Sequence, residues 1–155
     1  MRAVVQRVSR ASVTVDGDVV SRIERGLCVL IGISPQDTQS DIDYILRRLL
    51  KLKVWPAPDS KPWKQNVVDI DGDVLLVSQF TLYAELKNSS IPTFHKSMAP
   101  DPAKTFYLDF VGQMRAAYRP DKVQDGVFGA LMDVEIINDG PVTILLDSRK
   151  TESKS

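Results

Sequence analysis

The chain has 155 residues, 43% hydrophobic and 26% charged, which suits one soluble domain with a substantial core. Lys plus Arg number 20 and so do Asp plus Glu, so overall basicity does not point to nucleic acid and any polyanion must be met by a local patch. The single cysteine, Cys28, excludes an internal disulfide, and no apolar run approaches the roughly 18 residues of a membrane helix.

The N-terminus, Met1 to Arg7, reads as a strand without the apolar region of a secretory leader, so a cytosolic location and no membrane partner are expected. Val13-Thr14-Val15, Asp16-Gly17 and Asp18-Val19-Val20 form a hairpin pattern, because Asp-Gly supplies the positive φ angles of a tight turn. Leu27 to Ile33 is almost continuously apolar and predicts a buried central strand carrying an inert, buried Cys28.

Thr38 and Asp41 resemble a capping box, and Ile42, Ile45, Leu46, Leu49 and Leu52 share one face of the helix that follows. Arg47, Arg48 and Lys51 lie off that face, either simply solvated or part of a phosphate-contacting patch. Trp55 to Pro62 is a proline-rich loop. Asp71-Gly72 suggests a second hairpin leading into Val74 to Val77.

Asp101-Pro102 predicts the start of a second helix whose core stripe is Ala103, Phe106, Phe110, Met114 and Ala117, with Pro120 preventing its continuation. Phe128 to Ile136 alternates as a strand. Asn138-Asp139-Gly140 reads as a turn, and Val142 to Leu146 as the last strand. The expected architecture is α+β: a mostly antiparallel sheet or partial barrel with two packed helices, in one domain over 1–148, followed by a polar tail over 149–155 that frays.

The chemical inventory is narrow. His95 is the sole histidine and Cys28 the sole cysteine, too few for a zinc site. There is no G-x-S-x-G elbow, no phosphate-binding P-loop and no dinucleotide fingerprint. Nothing ties His95, in the loop Ile91 to Lys96, to a serine. For an enzyme working without the usual acid–base set, backbone amides that hold an oxyanion and a base brought by the substrate would suffice, one oxyanion donor being worth about 10²–10³ in rate. The alternative is a protein without catalytic activity.

Two segments stand out: Ser78-Gln79-Phe80-Thr81-Leu82 at the end of a buried strand, and Asn138-Asp139-Gly140-Pro141-Val142-Thr143. Each alone reads as a strand end or a turn. Together with Val5-Gln6-Arg7-Val8, Ala11 to Val15, Pro92-x-Phe94 and Asp125-Gly126-x-Phe128-Gly129-Ala130, they resemble the D-aminoacyl-tRNA deacylase family over nearly the whole folded chain.

The resemblance implies a homodimeric hydrolase that needs no cofactor and no metal and cuts the ester at the CCA end of D-aminoacyl-tRNA. It implies a cis Gly140-Pro141 bond inserted into the partner's active site, where it rejects L side chains. Glycine has nothing to reject, so glycyl-tRNA is expected to be cleaved as well. Ser78 and Gln79 would line the site, and the amides near Gln79 and Phe80 would receive the oxyanion. Thr81 reads either as a nucleophile or, since no base is visible beside it, as an orienting hydroxyl. The terminal ribose 2′-hydroxyl would assist the attack. Phe128 and Met132, on one strand face, would hold the terminal adenine or else simply pack in the core. Arg7 matches an arginine near the Gly-Pro segment, and Ala103 a site-lining position.

One departure concerns Glu85 to Ile91, a segment often basic in the family but carrying only Lys87 here, which implies recognition confined to the CCA end. A rival is the related animal-type deacylase, marked by P-Q-A-T-L and a trans Gly-Pro, which Ser78 and Phe80 speak against. Another is a nonenzymatic DNA-binding module, made less expected by a tail carrying only Arg149, Lys150 and Lys154 as cations.

Overall fold

The computed structural model describes residues 1–149, as β1 (Arg2–Val15), β2 (Asp18–Ile23), β3 (Gly26–Gly32), α1 (Gln39–Lys51), β4 (Asp73–Ser78), a 3-10 turn (Phe80–Tyr83), α2 (Pro100–Ala117), β5 (Val123–Asp125) and β6 (Asp133–Asp147). The strands form one six-stranded sheet in the order β2-β1-β3-β4-β5, with β6 on the other edge of β1. β1 is long enough to serve two neighbours: Arg2 to Val8 pair with β3, and Ala11 to Val15 pair with β2. The end strands approach each other where the Ser21 hydroxyl donates to the Asp125 carbonyl, so the sheet curls into a nearly closed barrel.

The expected α+β class and the two helices hold, but the sheet is mixed. β1 pairs antiparallel with β2, β3 and β6, whereas β3, β4 and β5 run parallel. Parallel neighbours need a crossover, and the segments containing α1 and α2 supply them. Burial on both faces explains the apolar run of β3. Leu27, Val29 and Ile31 face the helices, while Cys28 joins Val8, Val13, Ile23, Leu75 and Val77 inside the barrel. Burial pushes the Cys28 thiol up to about 12, so it stays protonated.

Several boundaries differ from expectation. Asp71-Gly72 is a turn but not a hairpin: Gly72 N–H closes back on the Val67 carbonyl (2.9 Å), and the chain then enters β4 parallel to β3. α2 begins at Pro100, after Ala99, rather than at an Asp101 cap. Its buried stripe is Ala103, Tyr107, Phe110, Val111 and Met114, while Ala117 is exposed. Phe128 and Met132 lie in turns and loop before β6, not on a strand. Residues 138–140 are no turn: β6 runs through them, and the register with β1 slips between Gln6 and Val8 and again between Val8 and Arg10.

The capping box forms, Thr38 N–H donating to Asp41 (2.8 Å). The buried N-terminal ammonium donates to Asp37 (2.6 Å) and to Ser148 Oγ (2.8 Å), and Arg149 reaches Asp37 (3.3 Å). Arg149, expected to fray, is thus tied to the domain; the rest of the expected tail lies outside the described residues. Among the described residues, no helix is long and apolar enough to cross a membrane.

Candidate active site

A cavity of about 510 Å³ opens where the parallel strands β3 and β4 end and α2 begins. Ile31 and Ile33 line it from the end of β3, Ser78, Gln79 and Phe80 lead out of β4, and Ala99, Pro100 and Ala103 come from the entry to α2. Phe94, Ser97, Met98, Phe128 and Gly129 complete the lining. No lining residue carries a titratable carboxylate, imidazole, amine or guanidinium. What this chain itself brings to the lining is amides, hydroxyls, shape and the positive end of the α2 dipole.

The 3-10 turn after β4 is placed closely. A Cβ at Gly32 would stand 2.9 Å from Leu82 Cβ and 3.2 Å from the Gln79 carbonyl, so only glycine lets the turn settle on the end of β3. Arg2 donates to the Leu82 carbonyl (2.8 Å), Ser97 Oγ donates to the Phe80 carbonyl (2.8 Å), and the Phe80 and Phe94 rings meet edge to face at 5.0 Å. Gln79 N–H donates to the Ile31 carbonyl (2.7 Å) and is therefore committed to the sheet. Of the two amides expected to receive an oxyanion, this leaves Phe80 N–H, the first of the 3-10 turn and without an acceptor inside it.

Thr81 is exposed and its Oγ1 accepts from Gln79 Nε2 (2.5 Å). A donor at that oxygen cannot take its proton. His95 faces elsewhere, its Nε2 lying 2.9 Å from Glu85, which also pairs with Lys96. Hydrogen bonding from Lys96 holds the Glu85 carboxyl below its ordinary range, even though burial opposes this. Of the two readings of Thr81, the orienting hydroxyl fits this geometry.

The expected site residues fall into three places. Ser78, Gln79, Phe80, Ala103 and Phe128 line the cavity, with Thr81 adjoining them. Met132 is not among the lining residues; half-buried, it packs against the barrel cluster with its sulfur by Gly126. Gly140 and Pro141 are exposed on β6, joined by a cis peptide bond, and lie outside their own chain's cavity lining. Arg7 serves that third place: its Nε donates to the Asp139 carbonyl (2.9 Å), and Nη1 donates to the Val54 carbonyl. Two supporting residues had no visible signal. Ser97 sits in an aperiodic loop, and Tyr107 donates to the Leu76 carbonyl (3.0 Å) while its ring lies 5.6 Å from that of Phe128.

Residues 4–147 match the family described as D-Tyr-tRNA(Tyr) deacylase. The chain is 50% identical over 151 residues to a D-aminoacyl-tRNA deacylase of Dictyostelium discoideum, covering 97% of this chain and 99% of that one. It is 50% identical over 148 residues to D-aminoacyl-tRNA deacylase 1 of Homo sapiens, covering 96% of this chain and 70% of the human protein. A solved structure of a c-Myc DNA Unwinding Element Binding Protein superposes with a TM-score of 0.91 at 50% identity, covering 95% of this chain and 98% of that one. Another, of a probable eukaryotic D-amino acid tRNA deacylase, has a TM-score of 0.78 at 21% identity, covers 94% and 97%, and shows the shared fold.

Proposed function

Since the chain belongs to the D-Tyr-tRNA(Tyr) deacylase family, hydrolases of the ester in D-aminoacyl-tRNA, we propose that its cavity receives the aminoacylated 3′ end of a tRNA and that a second copy of the chain completes it. The observation that carries this reading is a cavity without a titratable side chain, beside a turn whose Phe80 amide has no acceptor within it. Water, assisted by the neighbouring ribose 2′-hydroxyl, attacks the ester carbonyl. The developing oxyanion is received by Phe80 N–H and favoured by the α2 N-terminus. The bond from carbonyl carbon to the ribose 3′-oxygen breaks, the 3′-oxygen takes a proton, and the hydroxyl from water stays on the amino acid.

Phe128 holds the terminal adenine by its ring, and Ala103 keeps space for the aminoacyl group. Gly140 and Pro141 of a partner protomer approach the amino acid and exclude an L side chain, a selection by steric conflict rather than by added attraction. An edge position for β6 supports the two-copy reading, because one side of the strand is taken by β1 and Leu145 is 76% exposed on it. Glycine presents no side chain and passes the filter, so glycyl-tRNA mischarged on tRNA-Ala is a substrate. The work is proofreading in the cytoplasm, with no cofactor or metal required.

The experiment is deacylation of D-tyrosyl-, glycyl- and L-tyrosyl-tRNA side by side. Hydrolysis of the first two with the third spared is expected; equal hydrolysis of D- and L-tyrosyl-tRNA would refute the steric filter. A second reading, nonenzymatic DNA binding, is favoured only by the similarity to a solved protein named for binding a DNA unwinding element. Salt-sensitive duplex binding by a protein inert toward all three tRNAs would favour it.

A further inference from the structure

The loop between α1 and β4 has features that neither the cavity nor the core uses. Trp55 is buried to 1% exposure, whereas Trp63, eight positions on, is 55% exposed in the left-handed region at φ +58°. A bulky residue in that region is a backbone outlier, and such outliers gather at binding and switch segments. The loop is stiff. Trp55 bridges Gln65, the Trp55 carbonyl accepts from Lys64 N–H (2.9 Å) and Gln65 N–H (3.0 Å), and Ala57 N–H donates to the Lys61 carbonyl (2.8 Å). Pro56, Pro58 and Pro62 restrict the tip further. Trp63 is therefore held out by a braced loop anchored on a core tryptophan.

Cations accompany it. Lys53 and Lys64 stand exposed on the two antiparallel arms, and Lys51 ends α1 close before them. Lys61 is paired with Asp59 at 3.0 Å, whereas Lys53 and Lys64 make no ion pair among the described residues. The root of the loop is fixed to the Gly-Pro segment: Arg7 donates at once to the Val54 carbonyl and, at 2.9 Å, to the Asp139 carbonyl. Wherever Gly140 and Pro141 are delivered, the root of this aromatic and cationic loop is delivered with them.

We propose that the loop from Lys53 to Gln65 is an RNA-contacting surface, with Trp63 stacking on an unstacked base of the tRNA acceptor end and Lys53 and Lys64 meeting its flanking phosphates. The inference rests on the cross-protomer reading above: the loop of one protomer serves the tRNA held in the cavity of the other. It provides the local patch that an overall charge of zero demands. An exposed aromatic beside cations is the combination that binds single-stranded nucleic acid without reading its sequence.

The test separates the loop from the cavity. D-Tyrosyl-tRNA and a short D-tyrosyl ester of adenosine are hydrolysed side by side by the intact protein, Trp63→Ala, Trp63→Tyr and the double variant Lys53→Gln, Lys64→Gln. Trp63→Ala is expected to raise KM for the tRNA about ten-fold at unchanged kcat, to leave the short ester unaffected, and to be rescued by Trp63→Tyr. The lysine variant flattens the salt dependence of KM for the tRNA. Uncharged tRNA quenches the fluorescence of the intact protein, and Trp63→Phe removes that response while leaving buried Trp55. An unchanged KM for the tRNA in Trp63→Ala, or the same rise for both substrates, overturns the inference while deacylation itself stands. Intact protein inert toward both substrates overturns the functional reading and this inference with it.

Discussion

The cavity at the ends of β3 and β4 and the seam between β1 and β6 divide the chemistry of the molecule between them. The cavity is mostly apolar, lined by strand ends, a helix start and loop residues, and has no titratable lining group. The seam carries the exposed Gly140-Pro141 segment, the Arg7 bridge and an outward Leu145, yet contributes nothing to its own chain's cavity lining. One region provides shape and amides; the other provides a backbone projection with no cavity of its own to act on. The proposed exchange of the Gly140-Pro141 segment between two copies would bring these two regions together.

Filling the cavity is the strongest way to break this division. Ala103→Leu places a larger side chain in the lining and should lower kcat/KM for D-tyrosyl-tRNA by about 100-fold, against an overpacking cost of about 1–3 kcal/mol. Circular dichroism and urea unfolding would check that the fold survives; activity within a few-fold of the original would move the site elsewhere. Phe128→Glu should raise KM about ten-fold by removing a ring from the adenine, whereas Met132→Leu, at a half-buried position outside the cavity lining, should leave KM alone. An equal effect of both would return Phe128 to the core. Thr81→Ala should keep activity within a few-fold, since Gln79 already donates to its hydroxyl; complete loss in a folded variant would restore the nucleophile.

The smallest effect lies away from both regions, where the N-terminus meets α1. Burial works to raise the Asp41 carboxyl, but hydrogen bonds from Ser148 and Thr38 and the nearby N-terminal ammonium hold it below its ordinary value. A carboxyl depressed in the folded state stabilises the fold fully above its unfolded pKa of about 3.9, and that contribution is lost as pH falls through the folded value. Urea midpoints should therefore drop on acidification below about pH 4, and Asp41→Asn should flatten that drop and remove about 1 kcal/mol at neutral pH. An unchanged acid profile would remove Asp41 from the account.

Much of this division was legible from residue order, and its failures have physical causes. The apolar run of β3 announced a buried central strand, and the Thr38–Asp41 box announced α1. The parallel pairing of β3 with β4 was hidden, because Asp71-Gly72 has the chemistry of a hairpin turn but closes on Val67 rather than joining two paired strands. The alternation from Phe128 to Met132 imitated a strand because loop residues also anchor inward, Phe128 beside Tyr107 and Met132 beside Gly126. Ser78 to Phe80 were found through a resemblance rather than through spacing, and the loss of the Gln79 amide to Ile31 could be known only from tertiary structure. Ser97, in the lining, and Tyr107, buried behind it, each brace neighbouring backbone through a single hydrogen bond that leaves no periodic trace.

The cross-protomer claim is tested most directly by mixing two defective chains. Ala103→Leu chains lack a usable cavity but keep Gly140-Pro141, and Pro141→Ala chains keep the cavity but lack the intact projection. When the two are refolded together, mixed dimers should join the sound cavity of one chain to the sound projection of the other, restoring hydrolysis of D-tyrosyl-tRNA with L-tyrosyl-tRNA spared. Rates and selectivity that merely average those of the separate variants would show that each chain carries a complete site, contradicting the account.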